Sequence, residues 1–205
     1  MRVFRTGRTR AVTASGILLG AALLASAAAI TDSRDSLTLL DGSQNRFDLV
    51  VAGSAEPDWA PGPAQWVQGN PDAYRISLTP DDSSYLMSPG DSLNVRIAVR
   101  NESPKLASAV ELEISDPQDR STEIDPVTGN FVDLFPQLRF TVADGDRVLL
   151  DTVPSTELTR LSLDGALLPD EHRVLDVRIE VPADLDNRWQ LAETDVQFSF
   201  TGSNT

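Results

Sequence analysis

Apolar and polar residues alternate with a period of two through most of the chain. The alternation is clearest in residues 93–99, where leucine, valine and isoleucine are separated by asparagine, arginine and alanine. It recurs in residues 110–114, 175–181 and 196–200. Successive side chains of a strand point to opposite faces, so each segment would place one face on a core and the other in water. The pattern predicts antiparallel sheets.

The same alternation predicts which side chains of the last segment are buried. Phe198 and Phe200 share one face of that segment, and Gln197 and Ser199 share the other. We therefore expect Phe198 and Phe200 in the core, with Gln197 and Ser199 exposed.

Turn-forming residues separate these segments. Proline, glycine and aspartate cluster at residues 88–91, 144–146 and 164–165. The second cluster lies between two short apolar runs, 140–142 and 148–150, which predicts a β-hairpin. Further candidate strands are residues 36–40, 47–52 and 74–78. Nine or ten short strands predict an all-β fold, an antiparallel β-sandwich of jelly-roll or Greek-key type.

Few segments favour a helix, and one segment favours neither helix nor strand. Single helical turns are expected in residues 155–158, capped by Ser155, and in residues 130–138. Residues 53–72 carry four prolines together with Trp59 and Trp66, and they show little periodicity. This segment is either a surface loop draped over a sheet edge or a binding loop that presents two tryptophans.

The N-terminal region has the three parts of a secretory signal peptide. Arg2, Arg5, Arg8 and Arg10 precede an uncharged apolar run, which ends in small residues. We expect a signal peptide over residues 1–29, cut by a signal peptidase, and a single secreted β-sandwich domain over residues 30–205. A run of about 20 residues can also span a bilayer, so an uncleaved anchor is the alternative and the one expected route to membrane attachment.

The composition of residues 30–205 limits the possible partners. Without the four N-terminal arginines, 13 basic and 31 acidic residues remain, a net charge of −18. Nucleic-acid binding requires arginine and lysine to displace counterions, so this charge argues against it. The chain has no cysteine, so disulfides and a lipoprotein anchor are both excluded and the domain depends on its core.

Several short motifs, taken in order, carry a resemblance to a known family. They are GSQNRFDL at residues 42–49, SPGDS at 88–92, RNES at 100–103, NRWQ at 187–190 and VQFSFT at 196–201. This set resembles the TasA/camelysin family of exported bacterial biofilm-matrix proteins, which carry SipW-type signal peptides. The resemblance implies processing by a SipW-type signal peptidase. It also implies a jelly-roll-like sandwich that polymerises by donating an N-terminal strand to its neighbour.

A segment suited to strand donation follows the signal peptide. Within residues 30–41, a β-prone stretch joins the domain through Asp41 and Gly42, and its residues are Ser36, Leu37, Thr38, Leu39 and Leu40. If a neighbouring sandwich leaves a groove open, this stretch could add a strand while Leu37 and Leu39 fill pockets. The alternatives are an ordinary first strand within its own domain and a monomeric secreted module for cell-surface adhesion or ligand binding.

Camelysin-type members have been classed as metalloproteases, but the residues needed for catalysis are missing from this sequence. The chain has one histidine, His172, whereas a zinc peptidase needs two or three metal ligands and a base. It has neither a cysteine nucleophile nor a Gly-x-Ser-x-Gly elbow. The acid pairs at residues 81–82 and 170–171 are typical of solvated turns. We predict no enzymatic activity, no catalytic residue and no cofactor.

Calcium is the one metal ion for which the sequence offers suitable side chains. Carboxylates on loops suit this hard cation, but no EF-hand or other ordered ligand pattern is present. We therefore predict no specific metal site. The loop carboxylates in question are Asp116, Asp119, Glu123, Asp125, Asp144 and Asp146.

Overall fold

A computed structural model describes residues 48–68, 76, 85–118 and 120–204. These residues all belong to one compact unit, Gly42–Thr205. The expected signal peptide, the candidate donor strand at residues 36–40 and the candidate strand at 74–78, apart from Ile76, lie outside the described residues.

The described chain forms an all-β sandwich of two antiparallel sheets, as the alternation predicted. Its eight strands are β1 (Leu49–Ser54), β2 (Ser92–Asn101), β3 (Ser108–Ser115), β4 (Arg139–Asp144), β5 (Arg147–Pro154), β6 (Leu161–Ser162), β7 (His172–Glu180) and β8 (Gln197–Asn204). The larger sheet has the strand order β1-β2-β7-β4-β5, and the smaller sheet has the order β6-β3-β8. Most connections cross from one sheet to the other, as in Greek-key sandwiches.

The core lies between the inner faces of the two sheets. Strand β3 shows the alternation most clearly, since buried residues occupy every second position along its length. Apolar inner-face side chains of the central strands fill the core. They are Val95, Ile97, Val99, Val110, Leu112, Ile114, Phe140, Val142, Leu175, Val177 and Ile179.

Short elements connect the strands. Strands β4 and β5 form the expected hairpin, and Gly145 adopts a φ of +58° in its turn, which glycine accepts without steric cost. Single turns of 3-10 helix occur at Pro63–Gln65, Phe135–Gln137, Ser155–Glu157 and Asn187–Trp189. The expected capping by Ser155 is wrong. The capping position is occupied by Pro154, and the buried hydroxyl of Ser155 has no hydrogen-bond partner.

The segment after β2 is held by one buried amide. Asn101 Nδ2 donates to the carbonyl oxygens of Leu106 and Leu167 at 2.7 and 2.9 Å, and its Oδ1 accepts from the Ser103 N–H at 3.0 Å. Ser103 Oγ in turn accepts from the Asp48 N–H at 2.9 Å. The asparagine and serine of the RNES motif therefore fix a chain crossing, because buried polar groups need partners.

The expected burial on β8 needs correction. Phe198 and Phe200 do lie on the inner face, where they pair with Ile114 and Leu112 of β3 and pack against the core. However, both rings are only half-buried, and Gln197 and Ser199 on the opposite face are equally half-buried. The physical reason is position. Among the described residues β8 is the last strand of its sheet, so its side chains are covered from one side only.

This difference in burial gives a test with two phenylalanines. Phe140→Ala should lower the free energy of unfolding by about 3–5 kcal/mol, because the Phe140 ring is completely buried and its loss leaves a cavity. Phe198→Ala should cost less, by at least about 1 kcal/mol, since part of the Phe198 ring remains exposed in the folded protein. Urea denaturation of both variants measures the two losses. An equal or larger loss for Phe198→Ala would contradict the described position of β8.

Candidate functional site

The described strands form four sheet edges, and three of them are protected against pairing with another chain. On the outer side of β1, the backbone groups of Val51 exchange two hydrogen bonds of 2.9 Å with Val67. Strand β5 is irregular, with shifts in its pairing register and a φ of +54° at Thr152. Strand β6 is only two residues long. Covered, distorted and very short edges are the usual means by which proteins avoid edge-to-edge association.

The fourth edge, β8, lacks such protection. It pairs with β3 over all eight of its residues, and no strand among the described residues pairs with its other side. Its sequence, QFSFTGSN, contains no charged residue and no proline. A regular, uncharged edge presents a row of backbone donors and acceptors to an incoming strand. The half-buried rings of Phe198 and Phe200 add apolar surface that such a strand would cover.

The tryptophan-containing loop covers the outer face of the larger sheet. Trp59 packs against Ala52 and Ala98, which are paired across β1 and β2. The carbonyl oxygen of Trp59 accepts a hydrogen bond of 3.0 Å from Arg96 Nη1, and Arg96 Nε also bonds Asp176 Oδ1 at 2.6 Å. The two small alanines leave room for the indole, so the loop has its own small apolar cluster.

The two tryptophans have different environments. Trp59 is only 9% exposed, so the interpretation in which both rings are presented to solvent is wrong for Trp59. Trp66 is half-buried, with the guanidinium carbon of Arg100 4.8 Å from its ring centre. The ring of the exposed His172 meets Trp66 edge-on, with 5.6 Å between ring centres. This arrangement places a cation and an imidazole at the surface beside one indole.

The loop carboxylates considered for calcium mostly serve local structure. Asp144 Oδ2 accepts a hydrogen bond from Arg173 at 2.9 Å. Asp125 Oδ1 accepts from the N–H groups of Val127 and Thr128, and these bonds lower the pKa of Asp125. Asp119 lies outside the described residues. In the described ranges, no group of three or more His, Asp or Glu side chains is placed to hold a metal ion.

Sequence reasoning missed Asp133, the most deeply buried carboxylate of the described chain. It is 1% exposed, and its Oδ1 accepts from the Phe135 N–H at 3.0 Å, whereas Oδ2 has no hydrogen-bond partner. Burial raises the pKa of Asp133, and hydrogen bonds from Phe135 and Thr194 partly offset the rise. The charge of Asp116 and a hydrogen bond shared with its carboxyl group raise the pKa further. Asp133 lies in a stretch without clear periodicity, so no sequence pattern indicates its burial.

The raised pKa of Asp133 predicts a specific pH dependence of stability. The folded protein binds this proton more tightly than the unfolded chain, whose aspartate titrates near 3.8. The stability that Asp133 contributes is therefore complete below that pH and is lost as the pH rises through the higher folded-state pKa. Asp133→Asn removes this loss of stability. The difference in Tm between the variant and the natural protein should therefore increase as the pH rises over that range. Thermal unfolding in metal-free buffer between about pH 3.5 and 7 measures the difference.

Asp125→Asn is the matched control. Because the pKa of Asp125 is lowered, its contribution to stability is present above the unfolded-state pKa and is lost as the pH falls. The Tm of Asp125→Asn relative to the natural protein should thus decrease with rising pH, opposite to Asp133→Asn. A pH-independent difference for Asp133→Asn would contradict the assignment.

Comparisons with known proteins add no relative. No family model matches the chain, and a search of curated proteins finds no match. Within the part of the chain that the structure describes, no helix has the length and apolar character needed to cross a membrane.

Proposed function

We propose that this protein is a secreted structural subunit that assembles by adding a strand of one copy to the β8 edge of the next. The observation that carries the proposal is the contrast between β8 and the other three edges. An eight-residue edge without charge, proline or irregularity, next to half-buried phenylalanines, is suited to strand addition. The resemblance to exported biofilm-matrix proteins supports the same function.

The donated strand in this proposal is residues 36–40. Its alternating Leu37 and Leu39 have the spacing of Phe198 and Phe200, so two leucines of one copy would lie beside two phenylalanines of the next. The linking residues 41–48 span at most about 27 Å when extended, which sets the largest distance between the start of β1 and the β8 edge of a neighbouring copy in this proposal. Because donor and acceptor surfaces differ, the contact is heterologous and leads to filaments.

Charge opposes this assembly and makes it dependent on salt. Each exported copy carries a net charge of −18, so copies repel one another at low ionic strength. Strand β8 itself contributes no charge to that repulsion. Added salt screens the charges of the remaining surface, and we expect assembly to strengthen as the ionic strength increases.

The proposed role is structural, without catalysis. The single histidine, His172, lies at the start of β7, where its ring contacts Trp66. This contact gives the imidazole a packing role on the outer face of the larger sheet.

Removing the donor segment is the first test of assembly. The exported protein should form concentration-dependent species of high mass in sedimentation velocity, and deletion of residues 30–40 should abolish them. A synthetic peptide of residues 30–40 should then bind the truncated protein and raise its Tm, because it restores the strand beside β8. A natural protein that stays monomeric at high concentration and high salt would contradict the proposal.

A charge placed on the acceptor edge is the second test. Thr201 is exposed on β8, and Thr201→Lys adds a charge to the edge that should block strand addition and remove the high-mass species. Asn94→Lys, on exposed Asn94 of β2, makes the same change in net charge away from β8 and should leave assembly intact. Equal assembly of both variants would exclude β8 as the acceptor.

A monomeric adhesion or ligand-binding module is the second candidate function. The observation that favours it is the surface cluster of Trp66, Arg100 and His172, in which an indole lies beside a guanidinium and an exposed imidazole. The two functions differ in sedimentation. An adhesion module stays monomeric at every salt concentration, and its residues 36–40 act as a strand of their own domain.

A further inference from the structure

We propose that Trp189 and the polar side chains beside it form a binding site for a neutral polysaccharide of β-linked glucopyranose units. The site lies on the two loops that connect β3 to β4 and β7 to β8. It includes the NRWQ motif, to which strand addition gives no role. The inference goes beyond assembly and does not depend on it, since neither loop belongs to the β8 edge.

The first observation is a pair of aromatic rings outside the core. Phe131 and Trp189 stack, with 4.3 Å between ring centres and 19° between ring planes. Neither ring belongs to either apolar cluster of the described chain. Phe131 covers one face of the indole, and Trp189 is only half-buried, so the indole meets solvent through its other face. Its N–H group donates to no other group of the described residues and is not a buried atom.

Hydrogen bonds hold the indole in a fixed position. Asp186 Oδ1 accepts from the Arg188 N–H at 2.8 Å and so caps the 3-10 turn that carries the ring. The Phe131 N–H donates to the Arg188 carbonyl oxygen at 2.8 Å, and Asn130 Nδ2 donates to the Gln190 carbonyl oxygen at 3.3 Å. These bonds join the two loops. A surface that is ordered before binding loses little conformational entropy when a ligand arrives.

The second observation is a set of amide groups with unused hydrogen-bonding capacity beside the indole. Asn187 and Gln190 are both exposed, and a bond of 3.3 Å joins Gln190 Nε2 to Asn187 Oδ1. Asn187 Nδ2 and Gln190 Oε1 have no partner within the part of the chain that the structure describes. One is a donor and the other an acceptor. They can therefore bind the hydroxyl groups of a sugar, which both donate and accept, while the sugar ring lies on the indole.

Two aliphatic side chains extend the apolar surface of the site. Val127 on one loop and Leu191 on the other are each 90% exposed. Leu191 directly follows the NRWQ motif, and its φ of +67° is uncommon for leucine. An aromatic ring with exposed aliphatic groups on the same ordered loops indicates a surface that a ligand covers. A chain of several sugar units is long enough to contact more than one of these groups.

Charge selects an uncharged glycan. Arg188 is paired with Asp186, with 2.8 Å between Nη2 and Oδ2, so these two side chains add no net charge beside the indole. The exported chain as a whole carries a net charge of −18 and repels acidic polysaccharides such as polyuronates. A neutral polysaccharide meets no such repulsion.

The stacking surface favours β-linked glucopyranose among neutral sugars. Every hydroxyl group of this sugar is equatorial, so both faces of its ring present C–H groups. The face of an aromatic ring carries partial negative charge, which attracts such C–H groups. The same geometry holds for N-acetylglucosamine, because its acetamido group is also equatorial. Glucose and N-acetylglucosamine units therefore share the chemistry that this site recognises.

Titration calorimetry with cellohexaose and with chitohexaose tests the site in the exported protein. We expect saturable binding of at least one hexasaccharide, with a Kd of about 0.1–1 mM, because a shallow surface leaves much of the sugar hydrated. The two ligands distinguish glucose from N-acetylglucosamine units. Thr201→Lys, in which strand addition is blocked, should bind equally well, so a failure of assembly leaves this test unaffected.

Variants locate the binding site. Trp189→Ala should abolish binding. Because Trp189 also joins the two loops, Gln190→Ala is the second variant. It changes an exposed side chain, and it should weaken binding by about three- to tenfold, the usual effect of one lost hydrogen bond, without a change in Tm. Trp66→Ala, which removes the half-buried indole on the outer face of the larger sheet, should bind like the natural protein.

Three results would overturn the proposal. They are the absence of saturable binding of either hexasaccharide up to about 10 mM, an unchanged affinity in Trp189→Ala or Gln190→Ala, and equally tight binding of hexagalacturonate. The first would mean that the stack of Phe131 and Trp189 serves only to join the two loops. The last would mean that the site does not select a neutral glycan.

Discussion

The two sheets must cover each other's apolar faces, and in the described chain they differ in width. Strands lie about 4.8 Å apart, so a sheet of five strands extends about 10 Å further than a sheet of three. The centre of the sandwich is well covered, and Leu112, Phe140 and Leu175 are fully buried there. At the edge of the smaller sheet, β8 has a neighbouring strand on one side only among the described residues. The chain contains no cysteine, so no disulfide reinforces the apolar contact between the sheets, and the half-buried rings of β8 lie at the edge of that contact.

Local pattern was enough to predict the sheets. Val110, Leu112 and Ile114 alternate with glutamates, and this pattern follows directly from one buried and one solvated face. The glycine turn between β4 and β5 was equally readable, because a tight hairpin turn requires φ > 0. The depth of burial at Phe198 could not be predicted, since alternation indicates which face of a strand points inward but not whether the strand has a neighbour on both sides. Strand order depends on contacts between segments that are far apart in the sequence, and no short sequence pattern indicates those contacts.

The candidate sites differ in how far they could be predicted. A charge-free β8 can be seen in the sequence, but its position at a sheet edge becomes known only from the fold. For Trp59, the proline-rich composition indicated a loop but not what the indole packs against. Ala52 and Ala98, which contact the indole, come from two different strands. Asp133 gave no signal at all, because its burial results from segments on either side of it that are brought together by the fold. In a sequence, an aspartate that is buried by tertiary structure cannot be distinguished from an aspartate at the surface.

The outer-face position of Trp59 has a consequence for spectroscopy. The main core between the sheets contains phenylalanine and aliphatic residues but no tryptophan among its described members, whereas Trp59 and Trp66 belong to the separate cluster under the loop. Tryptophan fluorescence therefore reports chiefly on that loop and on Trp189, which stacks on Phe131 at 4.3 Å between ring centres. Circular dichroism in the far ultraviolet reports on the sheets. If the loop detaches before the sandwich opens, the two signals will have different midpoints, and a single two-state fit to fluorescence would then describe the loop rather than the fold.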